Sequence, residues 1–143
     1  MQLTRHTDYA FRVLIYLCDE NRERLVRASE IAEVFDVSLH HLSKVIHQLG
    51  RTGFIITVRG KHGGIKLAVE SQEISLGAVV RAMEATLNPI NCDEPECRLS
   101  PNCRLKSILN DAMEAFVNTM DKYTLADISQ QEVRELLVIQ ARV

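Results

Sequence analysis

Three of the four cysteines in this 143-residue chain, Cys92, Cys97 and Cys103, fall between Asn91 and Cys103, separated by four and then five residues. Pro95 and Pro101 interrupt the same stretch, which is otherwise almost devoid of apolar side chains, so it reads as a loop and not as a helix or central strand. A loop of this kind needs something other than packing to hold it, and thiolates gathered on a metal centre would do so. Three chemistries use such a set. An iron-sulfur cluster suits the wide gaps best, zinc more often takes four ligands in Cys-x2-Cys knuckles, and a redox-switching thiol set is the third reading. Three cysteines leave one unpaired in any disulfide scheme. The fourth ligand stays open at this point. Cys18 shares a helical face with Phe11, Leu14 and Ile15 and reads as core, and all five histidines lie in the first half of the chain. That leaves a loop carboxylate (Asp93, Glu94 or Glu96), or a residue from the N-terminal segment or from another subunit.

The composition is that of a globular domain, with 46% hydrophobic and 25% charged residues. The opening Met-Gln-Leu-Thr-Arg-His-Thr-Asp lacks a secretory signal's apolar core, and no apolar run approaches a membrane span, so a cytoplasmic, non-membrane protein is expected. The net charge of −2 hides an asymmetry. Residues 1–70 carry ten Lys/Arg against eight Asp/Glu, and residues 71–143 carry seven against eleven. Val37 to Val69 holds Lys44, Arg51, Arg59, Lys61, Lys66 and four histidines with no acidic residue at all, which marks a candidate phosphate-facing surface.

The elements that would carry these groups follow from apolar spacing. A first helix is predicted from Thr7, as N-cap, to about Glu20, with Asp8 in its first turn and Arg12 one turn later. A short helix over Ala28–Phe35 and a second from the Ser38 cap to about Gly50 form a helix-turn-helix. Leu39, Leu42, Val45, Ile46 and Leu49 make the buried stripe of the second helix, leaving His40, His41, Ser43, Lys44, His47, Gln48 and Arg51 outside. A strand over Gly53–Val58, the glycine-rich Arg59-Gly-Lys-His-Gly-Gly tip and a returning strand at Ile65–Ala68 read as a basic wing; the tip lacks the ending of a nucleotide-binding loop. A helix begins at the Ser75 cap and ends before Asn88-Pro89. Beyond the cysteines, Leu105, Ile108, Leu109, Ala112, Met113, Phe116, Val117 and Met120 stripe one long helix, whose apolar face is expected to meet a partner's copy, with packing inside the monomer as the alternative. The tail from Ser129 reads as weakly helical, with no site. The expected fold is mainly α with a small β wing. A winged helix-turn-helix domain spans residues 1–87, a cluster-binding loop 88–103, a dimerisation helix 104–128 and a tail 129–143.

The Leu-Thr-x-x-Thr-Asp-Tyr-Ala start, the Val-Arg-Gly-x-x-Gly-Gly wing, the three close cysteines and the long helix together resemble the winged-helix regulators that include IscR and NsrR, over nearly the whole chain to about residue 128. Within that group, the Asn-Cys opening, the cysteine gaps, the Arg-Leu-Lys that follows and the later Asp-Lys-Tyr-Thr-Leu-Ala-Asp are most similar to the nitric-oxide-sensing NsrR type. IscR-type proteins place a histidine three residues after the third cysteine, where this chain has Lys106. The resemblance implies a homodimeric repressor that binds double-stranded operator DNA and carries an iron-sulfur cluster, 4Fe-4S or alternatively 2Fe-2S, on Cys92, Cys97 and Cys103. It also implies Asp8 of the other subunit as fourth ligand, with Arg12 behind it. His40, Ser43 and Lys44 would read bases and Arg59 would enter the minor groove; Ser38, His41, Arg51 and Lys61 complete the expected DNA-contacting set. Nitric oxide acting on the iron would release the DNA. No catalytic residues and no enzyme activity are expected. An iron-sulfur electron carrier, or a regulator reading iron-sulfur or redox status, is the competing reading.

Overall fold

The computed structural model describes residues 2–18 and 24–141. Seven α-helices and one two-stranded sheet are present among them, besides two single 3-10 turns at Ser71–Glu73 and Ser100–Asn102: α1 (Arg5–Leu17), α2 (Ala28–Phe35), α3 (Leu39–Arg51), β1 (Ile55–Val58), β2 (Gly64–Leu67), α4 (Leu76–Met83), α5 (Arg104–Met120), α6 (Leu125–Ile128) and α7 (Gln131–Ala141). This is the expected winged helix-turn-helix with a long helix after the cysteine loop.

The core forms where the apolar stripes of α1 to α4 meet. Ala10, Val13, Leu14, Leu42, Val45, Leu49, Val79 and Val80 are all essentially inaccessible, and Tyr16 is buried beside them, edge-on to Phe35. Leu39, expected in the buried stripe, is 47% exposed instead, because it stands in the first turn of α3, before the stripe reaches the core. Asp36 takes a left-handed conformation (φ 50°) to turn α2 into α3, a geometry that Asp tolerates better than most residues.

The start of α1 differs from expectation. Thr4 is the N-cap, its hydroxyl accepting from the Thr7 amide, while Thr7 lies inside the helix and is fully buried. Two threonines three residues apart are equivalent as sequence signals; a distant partner decides between them. Glu84, at the C-terminal end of α4, accepts from the Thr4 amide (2.8 Å), the Thr4 hydroxyl (3.0 Å) and the Thr7 hydroxyl (2.6 Å). α1 ends at Leu17; the expected terminus at Glu20 lies outside the described residues.

β1 and β2 pair antiparallel with Ile55 opposite Leu67 and Val58 opposite Gly64. The wing is tied to the domain by Val26, which exchanges both backbone hydrogen bonds with Ile65, and by Arg27, which donates to the Lys61 carbonyl at its tip. Gly60 takes φ 111° in that tip, and a Cβ on Gly63 would collide with the Val58 carbonyl, so the turn requires glycine at both positions.

α5 is rooted at one end only. Asp121 at its C-cap takes two hydrogen bonds from Arg81 of α4 and a third from Ser75, and Val117 is buried nearby. Towards its N-terminus the stripe is bare: Leu105 is 57% and Ile108 52% exposed, as is Leu99 in the loop before them (72%). The stripe is therefore divided. Its last turns pack on α4, while Leu105 and Ile108 in its first turns stay more than half exposed. α6 buries Leu125 against α1, and α7 returns Leu137 to the core beside α2, so the tail expected to be weakly helical is a packed helix.

Candidate DNA interface and cysteine loop

α3 holds its outward residues on one face because its opposite face, with Leu42, Val45, Ile46 and Leu49, is locked into the core. Ser38, His40, His41, Ser43, Lys44, His47 and Arg51 are all exposed, as are Arg59 and Lys61 on the wing. Ser43, His47, Arg51 and Arg59 line one open groove of about 590 Å³ between α3 and β1. The Ser43 hydroxyl donates to the Leu39 carbonyl one turn back (2.7 Å), so it presents its oxygen to a partner as an acceptor. Ser38 stands at the N-cap of α3 without a side-chain cap bond. His41 meets Tyr9 of α1 edge-on, with centroids 5.8 Å apart.

A second contact between α1 and α3 was not legible in the sequence. Gln48 donates to the Ala82 carbonyl of α4 (2.6 Å), which fixes its amide, and its oxygen then pairs with His6 Nε2 (2.8 Å). His6, Lys44, His47 and Arg51 line a recess of about 480 Å³ between α1 and α3. His47 faces both recesses.

The cysteine loop has internal order. The Asn91 side chain accepts from the amides of Asp93 (3.0 Å) and Glu94 (3.3 Å), the Cys97 amide donates to the Cys92 carbonyl (3.0 Å), and the Ser100 amide to that of Cys97 (3.0 Å). Cys103 is the N-cap of α5, its sulfur accepting from the Lys106 amide (3.4 Å). All three are free thiols, Cys92 buried and the other two half-buried. Among the described residues, no group of three or more His, Cys, Asp or Glu side chains is placed to hold a metal ion. The loop thus gathers the cysteines in one segment without aiming them at one point. As donors they fit an iron-sulfur cluster: they are unpaired, and Cys103 stands at a helix N-terminus with an amide directed at sulfur, a setting that suits a metal-bound thiolate. Asp8, in the first turn of α1, has its carboxylate 2.8 Å from Arg12, both side chains nearly half exposed; the Arg12 guanidinium lies over the rings of Tyr9 (5.7 Å) and Phe35 (5.8 Å).

Burial pushes the Glu84 carboxyl up, but the hydrogen bonds from Thr7 and Thr4 and the nearby His6 outweigh it, and the group sits below the ordinary carboxylate range. Glu84 was not among the residues singled out from sequence. It precedes the Asn88-Pro89 segment that leads into the cysteine loop, and so joins that segment to the helix bearing Asp8.

Residues 3–131 match the family model of Rrf2, an iron-dependent transcriptional regulator. The chain belongs to the Rrf2 family. Among curated Rrf2 relatives, the HTH-type transcriptional regulator NsrR of Geobacillus kaustophilus is 45% identical, the match covering 96% of this chain and 97% of the relative. The protein of the same name from Bacillus licheniformis is 42% identical over 96% and 99%. Among solved structures, T. potens IscR superposes with a TM-score of 0.70 at 25% identity, covering 90% of this chain and 85% of that one. The chain is accordingly a DNA-binding transcriptional regulator with a winged-helix fold, and its exposed basic α3 and wing fit that role. Among the described residues, no helix is long and apolar enough to cross a membrane.

Proposed function

We propose that this Rrf2 regulator is a homodimeric repressor that senses nitric oxide through an iron-sulfur cluster, held by Cys92, Cys97, Cys103 and Asp8 of the partner subunit. A 4Fe-4S cluster is favoured, with 2Fe-2S as the alternative. The observation that carries the reading is the position of the three free cysteines: they lie on a loop between α4, which packs on the reading head, and the end of α5 whose apolar face is bare. The NsrR name of the close relatives and the family's iron dependence support it further. When bound, the cluster would supply iron as the site at which nitric oxide acts.

The chain's own residues do the rest. Leu105 and Ile108 cover each other's exposed surface in the dimer, bringing each loop to the partner's α1. Asp8 has two alternative partners, the neighbouring loop and Arg12 on its own helix. Released from the loop, it rests on Arg12, which lies against Tyr9, and Tyr9 touches His41 on α3. A change at Asp8 therefore reaches the reading helix through packed side chains, and two half-sites read together amplify a small rotation. His40, Ser43 and Arg59 supply base selectivity, while Lys44, Arg51 and Lys61 supply phosphate contacts. On this reading residues 1–87 bind DNA, 88–103 hold the cluster, 104–128 dimerise and the α7 tail braces α2.

The test is the visible spectrum and metal content of anaerobically purified protein, followed by its affinity for a duplex selected from a random library, before and after nitric oxide and after iron chelation. Iron, a thiolate-to-iron absorption and affinity lost on either treatment are expected. Colourless protein loaded with zinc, or affinity indifferent to iron removal, overturns the reading.

A further inference from the structure

An α-helix leaves its last carbonyls without amides of its own, and whatever takes them fixes how the helix ends. In α4 the Glu84 amide closes on the Val80 carbonyl, while the carbonyl of Ala82 is taken from another helix: the Gln48 side-chain amide of α3 donates to it at 2.6 Å in a partly buried setting. Two residues on, Glu84 accepts from Thr4 and Thr7 at the start of α1. The end of α4 is thus fastened on one side to α1 and on the other to the reading helix α3, just before the segment that leads through Asn88-Pro89 to the buried Cys92. We infer that Gln48 is a positioning residue for DNA binding, which carries the state of the cysteine loop to α3 within one subunit by gripping the last turn of α4. The inference rests on the proposed reading that a cluster orders that loop.

The side chain of Gln48 is held at both of its polar atoms, the nitrogen on Ala82 and the oxygen on His6 Nε2 (2.8 Å), so it has one orientation. The rest of the attachment of α3 is apolar. Leu42, Val45, Ile46 and Leu49 press its inner face into the core, a contact that resists separation but has no directional preference. The bond to Ala82 adds the direction, because it sets the rotation of α3 relative to α4. Gln48 also shares its face of α3 with Lys44, one turn earlier in the DNA-contacting set, so a rotation at Gln48 moves that set. Helix ends are where fraying starts. With the loop ordered, the last turn of α4 is held from beyond; with the loop relaxed it frays, the Ala82 carbonyl turns to water, and Gln48 loses its grip. Formed and frayed, that turn supplies the two states that coupling between sites requires. The route through Asp8, Arg12 and Tyr9 starts at the partner's loop, whereas this one starts at the subunit's own.

The experiment compares the parent, Gln48→Met and Gln48→Glu as anaerobically purified full-length proteins. Methionine keeps the length of the side chain and neither bond; glutamate keeps an acceptor for His6 but has no N–H for the Ala82 carbonyl. Affinity for the duplex that the parent selects from a random library is measured with the iron-loaded protein and again after iron chelation. One hydrogen bond is worth about three- to tenfold in an equilibrium constant. Both variants should bind about three- to tenfold more weakly than the parent when iron-loaded, and as the parent does after chelation, with the parent's visible absorption and rate of bleaching by nitric oxide. The ratio of the two affinities then shrinks by that same factor. A purely structural role for Gln48 would weaken both forms alike; that result, a ratio equal to the parent's in either variant, or a variant that loses its colour would overturn the inference and leave the cluster reading standing. A parent whose own affinity ignores iron removal would overturn the cluster reading, and this inference with it.

Discussion

Replacing Glu84 by alanine removes the acceptor that joins α4 to the start of α1, and its cost can be worked from the bonds it makes. The bond from Thr7 is partly buried, and Thr7 itself is fully inaccessible, so when Glu84 goes its hydroxyl is left with the longer contact to the Thr4 hydroxyl (3.2 Å) alone. Losing the better acceptor of a buried hydroxyl costs about 1–3 kcal/mol. The two bonds from Thr4 are solvent-exposed and add a few tenths of a kcal/mol each, with the loss of a carboxylate at the positive end of α1 adding about 0.3–1 kcal/mol more. The sum is about 2–5 kcal/mol at neutral pH, read as a lower midpoint in urea with an unchanged slope. Thr7→Val removes the same bond from the other side without leaving a cavity, so the double variant should cost less than the two single variants added together, by about 1 kcal/mol. The pH dependence gives an independent check. The folded Glu84 carboxyl lies below its unfolded value, so its contribution is fully present above the ordinary carboxylate range and is lost as pH falls through the lowered folded value. The difference between parent and Glu84→Ala should narrow towards low pH. Strict additivity with Thr7→Val, together with a pH-independent difference, would show that these bonds do not hold the helix as described.

Three further outcomes are expected. Asp8→Ala should alter the visible spectrum of the anaerobic protein or the rate at which nitric oxide bleaches it; if both are unchanged, Asp8 is not a ligand. Ile108→Glu places a charge on the bare turns of α5 and should move the protein from dimer to monomer in light scattering while leaving its melting temperature within a few degrees, because the residue is half exposed in the single chain; a dimer that survives would remove α5 from the interface. Gly77→Ala introduces a Cβ against the carboxylate and amide of Asp121, and should cost up to about 2 kcal/mol once the roughly 1 kcal/mol helix-propensity gain is deducted from an overpacking penalty of about 1–3 kcal/mol; a urea midpoint above the parent's would contradict the tight α4–α5 seat.

What the sequence conveyed well were features encoded within a few residues of each other. The stripe Leu42, Val45, Ile46 and Leu49 forces one orientation on α3, and that orientation alone exposes His40, Ser43, Lys44 and Arg51. The glycines of the wing and the prolines of the cysteine loop speak through backbone restrictions that act locally. What it concealed were partners distant along the chain. Thr7 looked like a cap because Glu84, 77 residues away, gives no local sign of reaching it. His6 and Gln48, 42 residues apart, are ordinary surface residues until α4 supplies the Ala82 carbonyl that orients them. The last helix was hard to read for another reason: Leu136, Leu137, Val138 and Ile139 run together without helical spacing, and only Leu137 turns inward.

The attachment of α5 leaves the cysteine-loop end of the helix open to a second copy in the proposed site. Its firm contacts lie at the Val117–Asp121 end, where Arg81 and Ser75 hold Asp121. At about 1.5 Å per residue, Cys103 stands roughly 20 Å along the helix from Val117, past the exposed Leu105 and Ile108. Asp8, meanwhile, is held on α1 by a helix start that Glu84 clamps, and its near partner is Arg12 and not a cysteine. A group that must take ligands from both places needs a body lying along the bare turns of α5 and presenting an α1 to the loop. A second copy, aligned by the same apolar turns, meets both requirements. Dimerisation and completion of the metal site are then one event on this reading, and a substitution that separates the subunits, such as Ile108→Glu, should also cost the protein its colour.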